Sequence, residues 1–188
     1  MNDMTGQIAD TFLLDGVEYA LVGINGEGLF DPADFDLRPY SSCTACWRGF
    51  VLTYDIRENI LLLSKLHINL KEAKVVNGVE PSTEKDEYSF FDYVYHLNMR
   101  VPFTGTLMLG KDMISGMYVH MGFQRAMAFE TVFELELKDG VVIRKRDLSK
   151  KMKERRESDP TEGARPKEAQ DPREWIAETF SQEYDSDE

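Results

Sequence analysis

The chain of 188 residues carries 34 acidic side chains against 22 Lys and Arg, a net charge of −12 that opposes nucleic acid and anionic membranes and favours basic partners. Its 42% apolar content, with eleven Phe and eight Tyr, suits one sheet-rich core. No apolar run approaches the roughly 20 residues of a membrane span. Two cysteines make no disulfide framework, and the first ten residues hold two acids and no base where a signal peptide would be basic. A reducing, cytoplasmic setting is therefore expected.

In chain order, residues 11–14 and 17–24 read as a hairpin, because Asp15-Gly16 supplies the two positive-φ positions of a tight turn. Gly26, Gly28 and Asp31-Pro32 mark a loop that runs on through Pro39 to Ser42. Phe50, Leu52, Tyr54 and Ile56 then alternate with Val51, Thr53 and Asp55, as in a strand with one buried face. Glu58-Asn59 turns the chain into 60–66, apolar on both faces and so expected to be a central strand. Asn77-Gly78 predicts another tight turn, and 81–87 a polar connection.

Residues 93–99 and 103–109 are two further strands around Pro102, and 118–121 a short one. The clearest strand is 129–137. There Phe129, Thr131, Phe133, Leu135 and Leu137 share one face, with Glu130, Glu134 and Glu136 on the other. Asp139-Gly140 turns it into 141–146. Eight or nine strands of this kind predict a mainly β fold (α+β): an antiparallel curled sheet, barrel or sandwich, with one or two C-terminal helices.

Beyond residue 146 the composition changes. Residues 144–156 carry a local charge of +6 and residues 157–188 one of −8, leaving −10 on residues 1–143. Residues 147–157 are rich in helix formers with only Leu148 and Met152 for an apolar face. The expected organisation is a β-rich domain over 1–157, a charged linker over 158–170, and an amphipathic helix with an acidic tail over 171–188. Asp171 caps that helix, and Ile176, Phe180 and Tyr184 form a stripe at i, i+4 and i+8. The stripe docks either on the chain's own sheet or on a partner, intramolecular docking being less costly in entropy. The acidic tail is expected to meet the basic stretch in cis.

Cys43-Thr44-Ala45-Cys46 has the spacing of a redox pair or half a zinc site, but it precedes a strand rather than opening a helix, and a second ligand pair is missing. No metal or cofactor is expected, Cys43 and Cys46 being the one place where a metal would go. Asp31, Asp34 and Asp36 lack the spacing of a calcium loop. No phosphate loop, dinucleotide fingerprint or nucleophile motif occurs, so no enzyme class is indicated. The reading favoured is a small acidic binding protein of bacterial inhibitor or immunity type, neutralising or regulating a basic protein partner through surface acids such as Glu130, Glu134 and Glu136. The alternative is a small-ligand barrel, with or without enzymatic activity. Phe50, Tyr54, Phe103, Phe129 and Phe133 would line its cavity, and Arg48, Tyr54, His120 and Gln124 would meet the ligand.

Overall fold

The computed structural model describes residues 6–82, 88, 90–159 and 171–184. Eight strands and two helices lie within them: β1 (Thr11–Leu14), β2 (Val17–Glu27), β3 (Phe50–Arg57), β4 (Ile60–Ile68), β5 (Tyr93–Arg100), β6 (Thr104–Met113), β7 (Phe129–Lys138), β8 (Val141–Asp147), α1 (Ser149–Ser158) and α2 (Pro172–Phe180). Asp15-Gly16, Glu58-Asn59, Asn77-Gly78 and Asp139-Gly140 all hold positive φ at both positions, the twist that matches flanking strands.

The strands follow the order β3-β1-β2-β6-β7-β8-β4, and β4 pairs with β3 again, closing a seven-stranded barrel. The sandwich alternative is thereby removed. One neighbour pair departs from the antiparallel rule: β1 runs parallel to β3, from Thr11↔Thr53 to Leu14↔Ile56. On its other edge β4 meets β8 only at Ile60↔Val141 and then gives that edge to β5, which hangs outside the ring. No helix among the described residues is long and apolar enough to cross a membrane.

A bulge explains why β4 reads as apolar on both faces. Register slips at Ser64 against both β3 and β5, so Leu61 and Leu63 before it, and Leu66 and Ile68 after it, all enter the same core. The Ser64 hydroxyl donates to the Thr53 carbonyl at this point. A second slip, between Leu21 and Gly23 in β2, lets Val22 and Gly23 both face outward, while Leu21 before them and Ile24 after them pack on the barrel core. The interior is filled by side chains, with Phe12 and Tyr54 stacked at 4.7 Å and Phe103 fully buried.

Three sequence expectations change. Gly26 lies within β2, not in a loop. It faces Gly105 of β6 with φ of 146° and 142°, a close backbone approach that excludes side chains on either strand. Residues 118–121 form no strand, because Gln124 satisfies Val119 at both ends: its Oε1 accepts from the Val119 N–H and its Nε2 donates to the Val119 carbonyl. Phe129 leaves the interior face expected of it and lays its ring over Gly110 on the outer side, in a cluster with Val22, Val132 and Met152.

That outer cluster is why α1 sits where it does. Buried Met152 and half-buried Leu148 cover it, and Arg156 reaches back to donate to the carbonyls of Met127 and Phe129 at 2.9 and 2.8 Å. Only Ser158 and Asp159 of the expected linker, and none of the tail after Tyr184, fall within the described residues.

Candidate functional site

The C-terminal segment organises the outer face of the barrel. Asp171 caps α2 by accepting from the Arg173 N–H, and the helix ends at Phe180 as Ser181 turns extended. The expected stripe therefore breaks. Ile176 stays 42% exposed, and Tyr184 reaches the barrel along an extended chain rather than a helical face. Residues 182–184 run beside β2 where β1 has ended: the Ile24 N–H donates to the Gln182 carbonyl and the Tyr184 N–H to the Ile24 carbonyl. Gln182 adds a side-chain bond to the Leu21 carbonyl. Gly23 is required here, because a Cβ would stand 2.8 Å from the Tyr184 ring.

Two further anchors hold the segment. The Phe180 ring stacks on Trp47 at 4.6 Å and 14°, leaving Trp47 55% exposed. At the other end the Tyr184 hydroxyl donates to Glu134 Oε2 at 3.1 Å and lies 2.8 Å from the Thr106 hydroxyl. Burial, with the Glu134 carboxylate beside it, pushes the Tyr184 phenol upward, so it remains a neutral donor.

Glu134 itself is only 4% exposed. It accepts from both Nε and Nη2 of Arg146, the residue directly opposite it on β8. Next along the same pair of strands, Glu136 bonds to Arg144 at 2.8 Å, and Glu130 lies 3.5 Å from Arg156 of α1. The expectation of three surface acids changes at Glu134, which is buried within this face; Glu130 is exposed and Glu136 half-buried, each beside a cation, Arg156 of α1 and Arg144 of β8. The cause is legible in the register, which sets Glu134 against Arg146 and Glu136 against Arg144, the cross-strand charge pairing that stabilises sheets.

The segment 181–184 separates the openings on this face. On one side is an open cleft of about 800 Å³ between the far end of β2 and α2, lined by Asn25, Glu27, Arg48, Phe123, Phe180 and Glu183. Glu27 and Glu183 are exposed and form no ion pair among the described residues. Arg48 belongs to a different arrangement. Its guanidinium donates to both oxygens of Asp10, at 3.0 and 2.7 Å, and stacks over the Phe50 ring at 4.7 Å and the Phe123 ring at 5.7 Å. The open cleft thus pairs two carboxylates with an aromatic wall, and its one arginine is neutralised from behind.

On the other side are two smaller pockets, of about 280 and 260 Å³, that share Met108, Met152, Arg155 and Tyr184 in their linings. The first is floored by Val22, Met108, Met127 and Met152, and the second is edged by Arg146, Lys151 and Arg155.

Compared with protein-family models, with curated proteins and with solved structures, the chain matches none.

The four residues assigned to a ligand pocket do not meet. Arg48 lines the open cleft and Gln124 the first of the smaller pockets. Tyr54 is sealed in the barrel, where its oxygen accepts from the Phe30 N–H, and burial holds its phenol far above the usual range. His120 is exposed, its ring edge-on to Tyr118 at 5.0 Å. Of the cavity aromatics, Tyr54 and Phe103 are fully buried core.

Cys46 is buried with Val51 and Phe91, its thiol donating to the Phe50 carbonyl at 3.3 Å, and burial pushes it upward, away from thiolate chemistry. Cys43 is partly exposed, and among the described residues no three His, Cys, Asp or Glu side chains gather as metal ligands. Sequence reasoning missed Glu27, Phe123 and Glu183. Nothing in the spacing linked positions 27, 123 and 183.

Proposed function

We propose that the protein is a binding protein that engages a protein partner by accepting a basic segment of it in the open cleft. The observation that carries this reading is the pairing of Glu27 and Glu183 with the rings of Phe123 and Phe180 around one cleft of about 800 Å³. A Lys or Arg side chain meets there carboxylates for its charge and, in the cleft lining, ring carbons for its apolar stem. The net charge of −12 acts in the same direction at long range, raising the encounter rate of a basic partner and repelling acidic ones.

The inhibitor or immunity role keeps its electrostatic logic in this form while its contact residues move. Glu130, Glu134 and Glu136 are replaced as contacts by Glu27 and Glu183. A small-ligand function inside the barrel is not favoured, since Phe12, Tyr54 and Phe103 occupy that interior.

The test is a titration of the isotope-labelled protein with an arginine- and lysine-rich peptide, followed by amide chemical shifts at low and high salt. Shifts should concentrate at Asn25, Glu27, Phe123 and residues 180–184, and affinity should fall as salt rises. Glu27→Gln with Glu183→Gln should weaken binding by roughly tenfold, the effect of two charge contacts at about 0.5–1 kcal/mol each. Shifts scattered over the whole acidic surface, with equal affinity in the double variant, would reject the cleft as the site.

A further inference from the structure

β2 is longer than its neighbour on one edge. β1 pairs with it only from Leu14↔Val17 to Thr11↔Ala20. Further along the same edge the Ile24 N–H donates to the Gln182 carbonyl, and the Ile24 carbonyl accepts from the Tyr184 N–H. Backbone groups that face one edge of a strand recur at every second residue. The register against β6 is unbroken from Ile24↔Leu107 to Gly26↔Gly105, so the next N–H and carbonyl on the outer edge belong to Gly26. Among the described residues, no backbone group outside the strands bonds to them.

That edge opens into the cleft proposed for a basic partner, where Ile24, Asn25, Gly26 and Glu27 face Phe180 and residues 181–184. Gly26 is exposed and has no side chain to stand before its own backbone. Exposed Glu27 follows it on the strand, and exposed Glu183 lies on the segment that pairs beside Ile24. The sequence after Tyr184, Asp-Ser-Asp-Glu, would bring three more acids to these two. Like charges side by side are unfavourable, so charge selects a basic segment from outside over the chain's own tail.

We infer that the partner's basic segment enters the cleft as an added β-strand, its backbone paired with the N–H and carbonyl of Gly26 and its Lys or Arg side chains flanked by Glu27 and Glu183. The inference rests on the reading of the cleft as a site for a basic segment and adds the conformation in which that segment binds. Main-chain hydrogen bonds then hold the strand, and alternate side chains give selectivity. A helical basic segment has its own backbone groups bonded internally and leaves this edge unpaired.

The probe is an acetylated, amidated peptide of four Arg-Val repeats, titrated into the full chain labelled with ¹⁵N. Two further versions are N-methylated, one at every Arg and one at every Val, so each loses the N–H donors of one strand edge while keeping its charge. The peptide, not Gly26, is varied, because a Cβ at Gly26 would overlap the Thr104 carbonyl oxygen and threaten the fold. The unmodified peptide should slow hydrogen exchange of the Gly26 amide by about tenfold or more, with little change at Ile24, whose N–H is already bonded. One methylated version should bind about tenfold more weakly and the other within about twofold of the parent. Shifts at Glu27, Phe123 and residues 180–184 with Gly26 exchange unaltered, or two methylated peptides that bind alike, would overturn the added strand and leave the cleft as a site for a basic segment. A Gly26 amide already protected in the free chain would overturn it too, by showing the edge filled in cis. Absence of shifts at the cleft would remove both readings.

Discussion

Replacing Asp10 by Ala should destabilise the fold by about 3 kcal/mol or more, read from the midpoint of chemical denaturation at constant slope. Asp10 is 3% exposed and accepts three hydrogen bonds: two from Arg48, and one from the Leu52 N–H at 2.8 Å. Its own carbonyl accepts from the Leu21 N–H, so the residue ties the start of β1 to both β2 and β3. Alanine removes the carboxylate and leaves a buried N–H without its acceptor and a half-buried guanidinium without its charge partner. Because the Arg48 side chain remains 27% exposed, water relieves part of that loss, which places the effect at the lower end of the roughly 3–5 kcal/mol seen for broken buried pairs. An effect below about 0.5 kcal/mol would mean that water satisfies both groups and that the pair does not hold β1 in place.

The second large effect belongs to Gly105. Gly105→Ala should cost several kcal/mol and yield largely insoluble chain, measured as the soluble fraction on expression and as the denaturation midpoint where material survives. Its φ of 142° lies where side-chain-bearing residues are strained, and a Cβ would overlap the Asn25 carbonyl oxygen and stand 2.6 Å from the Gly26 Cα. Both neighbours are backbone, so neither can swing aside, and separating β2 from β6 opens the barrel wall. Gly78→Ala, also at positive φ but with open space around it, should cost only about 1 kcal/mol. Gly116→Ala, with neither constraint, should be close to neutral. Equal effects at all three positions would show that general backbone entropy, rather than the contact between β2 and β6, sets the cost.

Much of the fold was legible in residue patterns, and the reasons are local. Asp15-Gly16, Glu58-Asn59 and Asp139-Gly140 each announce a turn through the two residues that must adopt positive φ, so the strands on either side could be placed, whereas Asn77-Gly78 announces a turn closed by the single Val76↔Val79 bridge. The alternation of Leu52, Tyr54 and Ile56 marked the buried face of β3 for the same reason. What stayed hidden was non-local. The parallel pairing of β1 with β3 joins segments some forty residues apart and leaves no mark in either. The bulge at Ser64 erases the alternation that would have named the inner face of β4. Gly26 read as a loop residue because its partner, Gly105, lies far along the chain.

The site was less legible than the fold. Glu134 was recognisable as outward-facing, but outward from this barrel means beneath the C-terminal segment, where Arg146 and Tyr184, the latter returning from 50 residues away, both bond its carboxylate. The ion pairs of Glu130, Glu134 and Glu136 follow from strand register and helix placement that a composition count cannot supply. Net charge predicted the sign of the partner proposed here, and geometry moved the expected contact to Glu27 and Glu183.

The most direct test of that proposal is site-specific photocrosslinking in the native cell, with a photoreactive amino acid replacing Asn25 on the floor of the open cleft. The account predicts a single major crosslinked protein whose captured peptide is rich in Lys and Arg, and loss of that product when Glu27→Lys and Glu183→Lys are added. Capture of an acidic or uncharged peptide, or a product unchanged by reversing both charges, would contradict it.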